Sequence, residues 1–168
     1  MILKNRKGFT LIEILIVVAI IAILASVVLV GLAPTQQAGR DARRVSDLSE
    51  VQNGLELYYN HFGLYPGTVT GAAGSPSSSG WPGFATTLVN SNVGVSSVSS
   101  DPSNGRQYTY WYASAANVSY VLGAALENGS SSVFNNYTPP SLTGQTQITG
   151  GSGTFPANCT APNYCITL

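Results

Sequence analysis

Charge is the scarcest property of this 168-residue sequence. Lys, Arg, Asp and Glu make up only 8% of it, against about 25% in an ordinary soluble domain. From Gly63 to the C-terminus only three side chains are charged, namely Asp101, Arg106 and Glu127. A nucleic-acid interface built on a basic patch is poorly supported by one Arg. Ser, Thr, Asn, Gly and Tyr must instead cover the surface of this region.

Groups that carry chemistry are also few. The single histidine, His61, stands beside Phe62 at the end of a helical pattern, where we expect a structural or surface residue. No glycine-rich loop follows a strand and opens a helix, so phosphate binding is unsupported. We find no set of residues spaced for acid–base or nucleophilic catalysis. The sequence therefore predicts no catalytic residue, no cofactor and no enzyme.

What the sequence does have is a long apolar run. Only four of the 25 residues from Phe9 to Ala33 are not apolar, and these are Thr10, Glu13, Ser26 and Gly31. A helix needs about 20 apolar residues to cross the hydrocarbon core of a bilayer. An ionisable group inside such a span is functional by default. The run predicts a membrane-spanning helix in which Glu13 has a role.

The residues around the start of this run form a specific motif. Lys4, Arg6 and Lys7 precede Gly8, and Glu13 is the fifth residue after it, in the segment KGFTLIE. The motif resembles the class III signal of type IV pilins and type II secretion pseudopilins. The resemblance implies that a prepilin peptidase removes residues 1–8 on the cytoplasmic side. It also implies methylation of Phe9 and a role for Phe9 and Glu13 in subunit assembly.

Two ordinary explanations of the run remain open beside this one. A secretory signal peptide has an apolar core of about 7–15 residues, which is shorter than the run here. An uncleaved membrane anchor explains the length but neither Gly8 nor Glu13. The positive-inside rule is nearly balanced, because three arginines follow the span closely. The orientation, with the N-terminus in the cytoplasm, thus depends on the resemblance and on the cysteines.

The segment from residue 34 to residue 62 predicts a second, amphipathic part of the same helix. Apolar residues recur every three to four positions, at Val45, Leu48, Val51, Leu55, Tyr58 or Tyr59, and Phe62. Arg40, Arg43, Asp47, Glu50 and Asn53 lie away from that stripe, and we interpret the charges among them as a solvated face. Arg43 and Asp47 are four apart and are expected to pair. Gly31 and Pro34 mark the weak point of the helix, where we expect it to bend or lose order in a filament.

The region from residue 63 to residue 168 predicts a small β domain. Gly63-Leu64-Tyr65-Pro66 ends the helix and resembles the G-x-YP turn of the same family. A surface loop at 67–83 and a short second helix at 84–91 are expected next. Strands are predicted at 108–113, 119–127, 145–149 and 164–168. The first two form a hairpin, and the order from Asp101 to Glu127 resembles that of pseudopilin sheets.

The two cysteines, Cys159 and Cys165, lie six residues apart near the C-terminus. In an exported domain a pair at this spacing predicts a disulfide that closes a short loop. Zinc would need more ligands than two Cys and a distant His61, and a redox motif would be C-x-x-C. Some major pseudopilins hold calcium in an acidic loop, but after Asp101 this chain offers only Glu127. We therefore predict a structural disulfide and no metal site.

Four N-x-[ST] sequons are present, beginning at Asn117, Asn128, Asn136 and Asn158. Such matches arise by chance in a chain rich in Asn and Ser.

Together these patterns predict an α+β, pilin-like fold, in which a long N-terminal helix packs against a small antiparallel sheet. The expected parts are a leader (1–8), a span or filament core (9–33), an amphipathic helix (34–62) and a globular domain (63–168). The resemblance implies a structural subunit of a type IV pilus-like filament. Its partners would be copies of itself, the peptidase and the assembly machinery of the inner membrane, and no specific nucleic acid is indicated. The precursor would lie in the inner membrane and the product in an extracellular or envelope-spanning filament.

Three alternatives stay open for the function. Two lie within the family, namely the major pseudopilin of a type II secretion system and a DNA-uptake pilin. The third is of another class, a membrane-anchored binding or enzymatic domain.

Overall fold

The computed structural model describes residues 8–67, 80–113, 119–148 and 156–167, without the side chains of residues 29–31. The chain divides into two compact units, one up to Gln37 and one from Ala38 onward. The elements in chain order are helix α1 (Leu11–Phe62), helix α2 (Gly80–Asn90), strands β1 (Thr109–Ala113) and β2 (Tyr120–Ala125), a 3₁₀ turn (Ser132–Phe134), and strands β3 (Gln145–Gln147) and β4 (Asn163–Thr167).

Helix α1 begins two residues later than Phe9, because Thr10 acts as its N-cap, and ends at Phe62 as predicted. Gly63 follows with φ +73°, the left-handed conformation that glycine adopts readily after a helix end. Its N–H donates to the carbonyl of Tyr59 at 2.7 Å. The helix continues through Pro34 in the single chain. The bend expected near this residue concerns the filament and stays a prediction.

Helix α2 begins at Gly80, inside the stretch predicted as a loop, so the loop prediction was wrong for residues 80–83. Residues 68–79 lie outside the described part. Pro82 is tolerated because it falls in the first turn, where a backbone donor is not required. Trp81 and Phe84 are buried side by side with ring centroids 5.0 Å apart. This burial fixes the helix although the segment is weak in helix formers.

The four strands form one antiparallel sheet in the order β3-β1-β2-β4. Strands β1 and β2 pair as the predicted hairpin, with Tyr110 opposite Leu122, and the connection at 114–118 lies outside the described residues. Leu122 in turn lies opposite Ile166 of β4. The four predicted strands are therefore confirmed, with ends that differ by one or two residues where the structure describes them.

The main core lies between one face of the sheet and the part of α1 that belongs to the second unit. The buried residues of α1 pack with a row of aromatic residues from α2, from β2, and from β1 with the residue just before it. The α1 residues are Leu48, Val51, Leu55 and Tyr58, and the aromatic residues are Phe84, Tyr108, Tyr110, Tyr112 and Tyr120. Buried tyrosines need a partner for the hydroxyl group. The Tyr110 hydroxyl donates to the carbonyl of Pro66 at 2.8 Å. The core is thus large and aromatic, and buried tyrosine hydroxyls in it form hydrogen bonds.

The other face of the sheet is covered by the C-terminal loop. Cys159 and Cys165 form the predicted disulfide and pack with Trp111, Val121 and Leu142. A Cβ atom at Gly123 would come within 2.8 Å of the Trp111 ring, so only glycine lets this Trp lie flat against β2. Because both faces are covered, β1 and β2 are buried almost throughout.

Candidate assembly site

The N-terminal end of α1 is closed by a reciprocal capping box formed by Thr10 and Glu13. The Thr10 N–H and Oγ1–H donate to Glu13 Oε2 at 2.7 and 2.8 Å, and the Glu13 N–H donates to Thr10 Oγ1 at 3.3 Å. In this arrangement each side chain satisfies a backbone donor that the helix itself leaves free. The pattern T-x-x-E before an apolar run is the sequence signature from which this box could have been predicted.

The residues expected to be processed lie directly before this cap. Gly8 and Phe9 are non-helical and exposed, and 85% of Phe9 is accessible. The leader cations Lys4, Arg6 and Lys7 lie outside the described residues. We expect Glu13 to pair with the free amine of Phe9, which exists only after cleavage. The structure therefore brings Thr10 and Glu13 together and leaves the pairing of Glu13 with Phe9 untested.

The first turns of α1 present an exposed apolar surface. The large side chains described from Leu11 to Leu32 are about half exposed or more. An 18-residue stretch of α1 has a mean hydropathy of 3.3, and none of it is buried. By length and composition, α1 is therefore able to cross a membrane. The class III signal and this helix indicate a membrane precursor.

A second group of interacting polar side chains, which the sequence patterns did not indicate, lies within the unit that begins at Ala38. Arg44 is fully buried, and its guanidinium makes five hydrogen bonds. It donates twice to Asp101 at 2.8 and 2.9 Å, and once each to Asp41 at 2.7 Å, Ser103 at 2.7 Å and Glu127 at 3.0 Å. All five donors of the side chain are therefore satisfied. We call these five residues the Arg44 cluster.

The carboxylate of Glu127 is shared between Arg44 and Arg40. Arg40 Nε donates to Glu127 Oε1 at 2.7 Å. The hydrogen bonds from Arg40, joined by the one from Arg44, lower the pKa of Glu127 to about 2. Burial alone would lower the pKa of Arg44, but hydrogen bonds to Asp101, Glu127 and Asp41 outweigh it and raise the pKa. Glu127 and both arginines thus stay charged at neutral pH.

The expectation of a solvated charged face on α1 was wrong for Asp47 and incomplete for Arg40. Asp47 is buried and accepts a hydrogen bond from the Tyr108 hydroxyl at 2.7 Å. Arg40 is half-buried against Glu127. Arg43 is exposed and does pair with Asp47, at 3.8 Å, as predicted. Glu50 is exposed, as expected.

The Arg44 cluster joins α1 to the end of β2. Asp41 accepts the backbone N–H groups of Glu127 and Asn128 at 2.9 and 3.0 Å. Arg106 donates to the carbonyl of Ala125 at 2.9 Å. The three charged residues after Gly63 therefore all contribute to this junction, and their rarity was the signal that could have pointed to it.

The described residues contain no group of His, Cys, Asp and Glu side chains arranged to hold a metal ion. In the Arg44 cluster the carboxylates of Asp41, Asp101 and Glu127 converge on a guanidinium.

Comparison with known proteins finds a match to one sequence motif and similarity to several bacterial proteins. Residues 3–29 match the prokaryotic N-terminal methylation motif. Over 68 residues the chain is 34% identical to type II secretion system core protein G of Aeromonas hydrophila, and over 67 residues 36% identical to that of Escherichia coli. Over 56 residues it is 43% identical to the type IV wide pilus major component PilA4 of Thermus thermophilus.

The chain thus carries the N-terminal methylation motif, and over part of its length it is similar to type II secretion core proteins and to a type IV pilus component. The matched segments cover 33–40% of this chain, and it spans about half the length of these relatives: 48%, 46% and 43% respectively. No solved structure matches it. Secretion-system proteins and a pilus component are both among the relatives, so the matches do not select between secretion and pilus.

Proposed function

We propose that this chain is a pilin-like protein, the precursor of a filament subunit that is cleaved between Gly8 and Phe9 and polymerised through α1. The observation that carries the proposal is the position of this peptide bond. It is exposed and non-helical, and it stands directly before a capped helix whose apolar surface is uncovered in the single chain. A peptidase needs an accessible, extended bond, and an uncovered apolar helix needs lipid or other helices around it.

The parts of the chain take separate roles in this proposal. Residues 1–8 are the leader, and 9–33 span the inner membrane and then form the filament core. Residues 34–62 continue α1 as the spine of the subunit, and 63–168 form the outward-facing domain. Phe9 receives the methyl group, and Glu13 sets the register of each subunit against its neighbour. The partners are further copies of the chain, the prepilin peptidase and the inner-membrane assembly machinery.

The test is the mass and N-terminal sequence of subunits from a purified surface fraction. We expect a chain that begins at Phe9 and carries one extra methyl group. A mature chain that begins at Met1, or one cut within the apolar run, would reject the proposal.

A type II secretion pseudopilus is the second candidate, favoured by the matches to core protein G in several bacteria. A deletion strain separates the two. Loss of filaments from the sheared surface fraction, with normal export of folded enzymes, supports the pilus. Accumulation of exported enzymes inside the envelope, with surface filaments unchanged, supports the pseudopilus.

A further inference from the structure

The sequence contains three Asn-Gly dipeptides, at Asn53-Gly54, Asn104-Gly105 and Asn128-Gly129. An Asn side chain followed by Gly is prone to attack by the next backbone nitrogen, because glycine has no Cβ to block the approach and its backbone is permissive. The attack produces a cyclic succinimide, which water opens to Asp or isoaspartate. The three sites share this local chemistry, so only their surroundings distinguish them.

The fold places the three dipeptides in different settings. Asn53 lies inside α1, where helical dihedral angles hold the Gly54 nitrogen away from the side chain and engage its N–H in the helix ladder. Asn104 is in an exposed turn closed by the Arg106 N–H and the Ser103 carbonyl at 3.4 Å. Asn128 is in an exposed turn closed by the Ser131 N–H and its own carbonyl at 3.1 Å.

Among the three sites, and within the described residues, only the turn at Asn128 places a hydrogen-bond donor on the side-chain amide that would react. The Ser130 N–H donates to Asn128 Oδ1 at 2.9 Å. When a nitrogen attacks Cγ, negative charge develops on Oδ1, and a backbone N–H already aimed at that atom stabilises it, as in an oxyanion hole. Within the described part of the chain the Gly129 N–H makes no hydrogen bond. The nucleophile is thus available and the electrophile is polarised.

We propose that Asn128 is a self-modification site that deamidates in the folded subunit. The Gly129 nitrogen forms a bond to Asn128 Cγ, the C–N bond of the side-chain amide breaks, and ammonia leaves with the proton from Gly129. Water then adds to one of the two succinimide carbonyls and opens the ring. The product carries Asp or isoaspartate at position 128, with no oxidant, cofactor or enzyme required.

The consequence falls on the Arg44 cluster. The Asn128 N–H donates to Asp41 Oδ2 at 3.0 Å, so the new carboxylate appears on a residue that itself ties the end of β2 to α1. Two guanidinium groups, of Arg40 and Arg44, already face the carboxylates of Asp41, Asp101 and Glu127. A further negative charge adds repulsion there. Conversion also destroys the sequon that begins at Asn128, so deamidation and N-glycosylation of this residue exclude each other.

The test follows the three sites in one molecule. The full chain, purified in detergent, is incubated at mildly alkaline pH, and peptides are mapped by mass spectrometry over time. We expect Asn128 to convert at least ~10-fold faster than Asn53, since one oxyanion donor alone is worth that much or more, and faster than Asn104. In denaturant the three rates should converge. An Asn128 that converts no faster than Asn104 in the folded chain, or the same order of rates with and without denaturant, would overturn the proposal.

Two variants complete the test. Gly129→Ala is expected to slow conversion several-fold, and the fold accepts it because the added Cβ would lie 3.6 Å from Pro162 Cβ, an ordinary contact. Asn128→Asp installs one product directly, and we expect it to lower the urea midpoint of the folded chain. Asn135→Asp is the matched control, since Asn135 is also exposed but lies outside the Arg44 cluster. Equal midpoints for the two Asp variants would refute the effect on the Arg44 cluster.

Discussion

The two parts of α1 hold their charged residues in opposite ways. In the unit up to Gln37, Glu13 is satisfied by Thr10, three residues away on the same turn. In the unit from Ala38 onward, Arg44 is satisfied by Asp101 and Glu127, 57 and 83 residues away. A charge held locally leaves its surroundings free for another molecule. A charge held by distant residues ties the domain to its helix.

The largest effect on assembly is expected from Glu13→Leu, which removes the charge from the first part of α1. We predict normal membrane insertion, normal cleavage after Gly8 and loss of efficient filament formation. A subunit out of register would leave an uncompensated charge in an apolar core, so the role proposed for Glu13 is mainly to set the register. Glu13→Gln should fall between, since it keeps polarity without charge. Filament yield is measured by microscopy and by blotting the sheared fraction, and normal filaments in Glu13→Leu cells would contradict the role.

The largest effect on stability is expected from Arg44→Met, which breaks the cluster in the second part. Removal of the guanidinium leaves the buried carboxylates of Asp41 and Asp101 without the counter-charge of Arg44. Breaking a buried ion pair in this way lowers the free energy of unfolding by about 3–5 kcal/mol. Urea unfolding of the full chain in detergent, followed by the fluorescence of the buried Trp81 and Trp111, measures the change. Arg43→Met is the control, because that side chain is 63% exposed and such substitutions usually stay within about 0.5 kcal/mol. An equal decrease in the free energy of unfolding in the two variants would show that the Arg44 cluster contributes no more to stability than the exposed Arg43.

These two parts also differ in how well the sequence predicts them. The span, its cap and the end of α1 at Gly63 depend on residues a few positions apart, so their patterns can be read directly. The start of α2 was missed because Trp81 is fixed by packing, and its indole N–H donates to the carbonyl of Ser99, 18 residues on. Asp47 was misplaced on a solvated face because its partner is the hydroxyl of Tyr108, 61 residues away. Helical spacing alone gave no sign of either contact.

The disulfide was predictable because only one pairing of Cys159 and Cys165 exists within the chain. The packing of the disulfide was not predictable, because the loop that it closes covers Trp111, a residue distant in sequence, on the outer face of the sheet. Replacement of both cysteines by Ala should lower the free energy of unfolding by about 2–3 kcal/mol on the chain-entropy estimate for a short loop. Urea unfolding with and without reductant measures this, and alkylation of two free thiols in the unreduced native subunit would show that the bond is absent. The loss should add to that of Arg44→Met, since the two sites share no partners.

Acid should lower the stability of the unit that begins at Ala38, because Glu127 loses its charge and with it the ion pairs to α1. The pKa of this carboxyl is 4.5 in an unperturbed chain and about 2 in the folded protein. Because the folded value is the lower one, the stability it contributes is complete above pH 4.5 and is lost as pH falls toward about 2. The urea midpoint should therefore drop across this interval, and Glu127→Gln should have a lower midpoint at neutral pH with a flatter acid dependence. An unchanged slope in that variant would assign the acid sensitivity to other carboxylates.

The smallest effect is expected from Thr10→Val, which changes the capping box without removing its charge. The variant loses the hydroxyl that accepts the Glu13 N–H and donates to Glu13 Oε2, but it keeps the backbone N–H that donates to the same carboxylate at 2.7 Å. The helix start should fray slightly, and filament yield should fall less than in Glu13→Leu. Thr10→Ser restores the hydroxyl and should restore the yield. If Thr10→Val abolished filaments as completely as Glu13→Leu, the hydroxyl and not the carboxylate would be the group on which assembly depends.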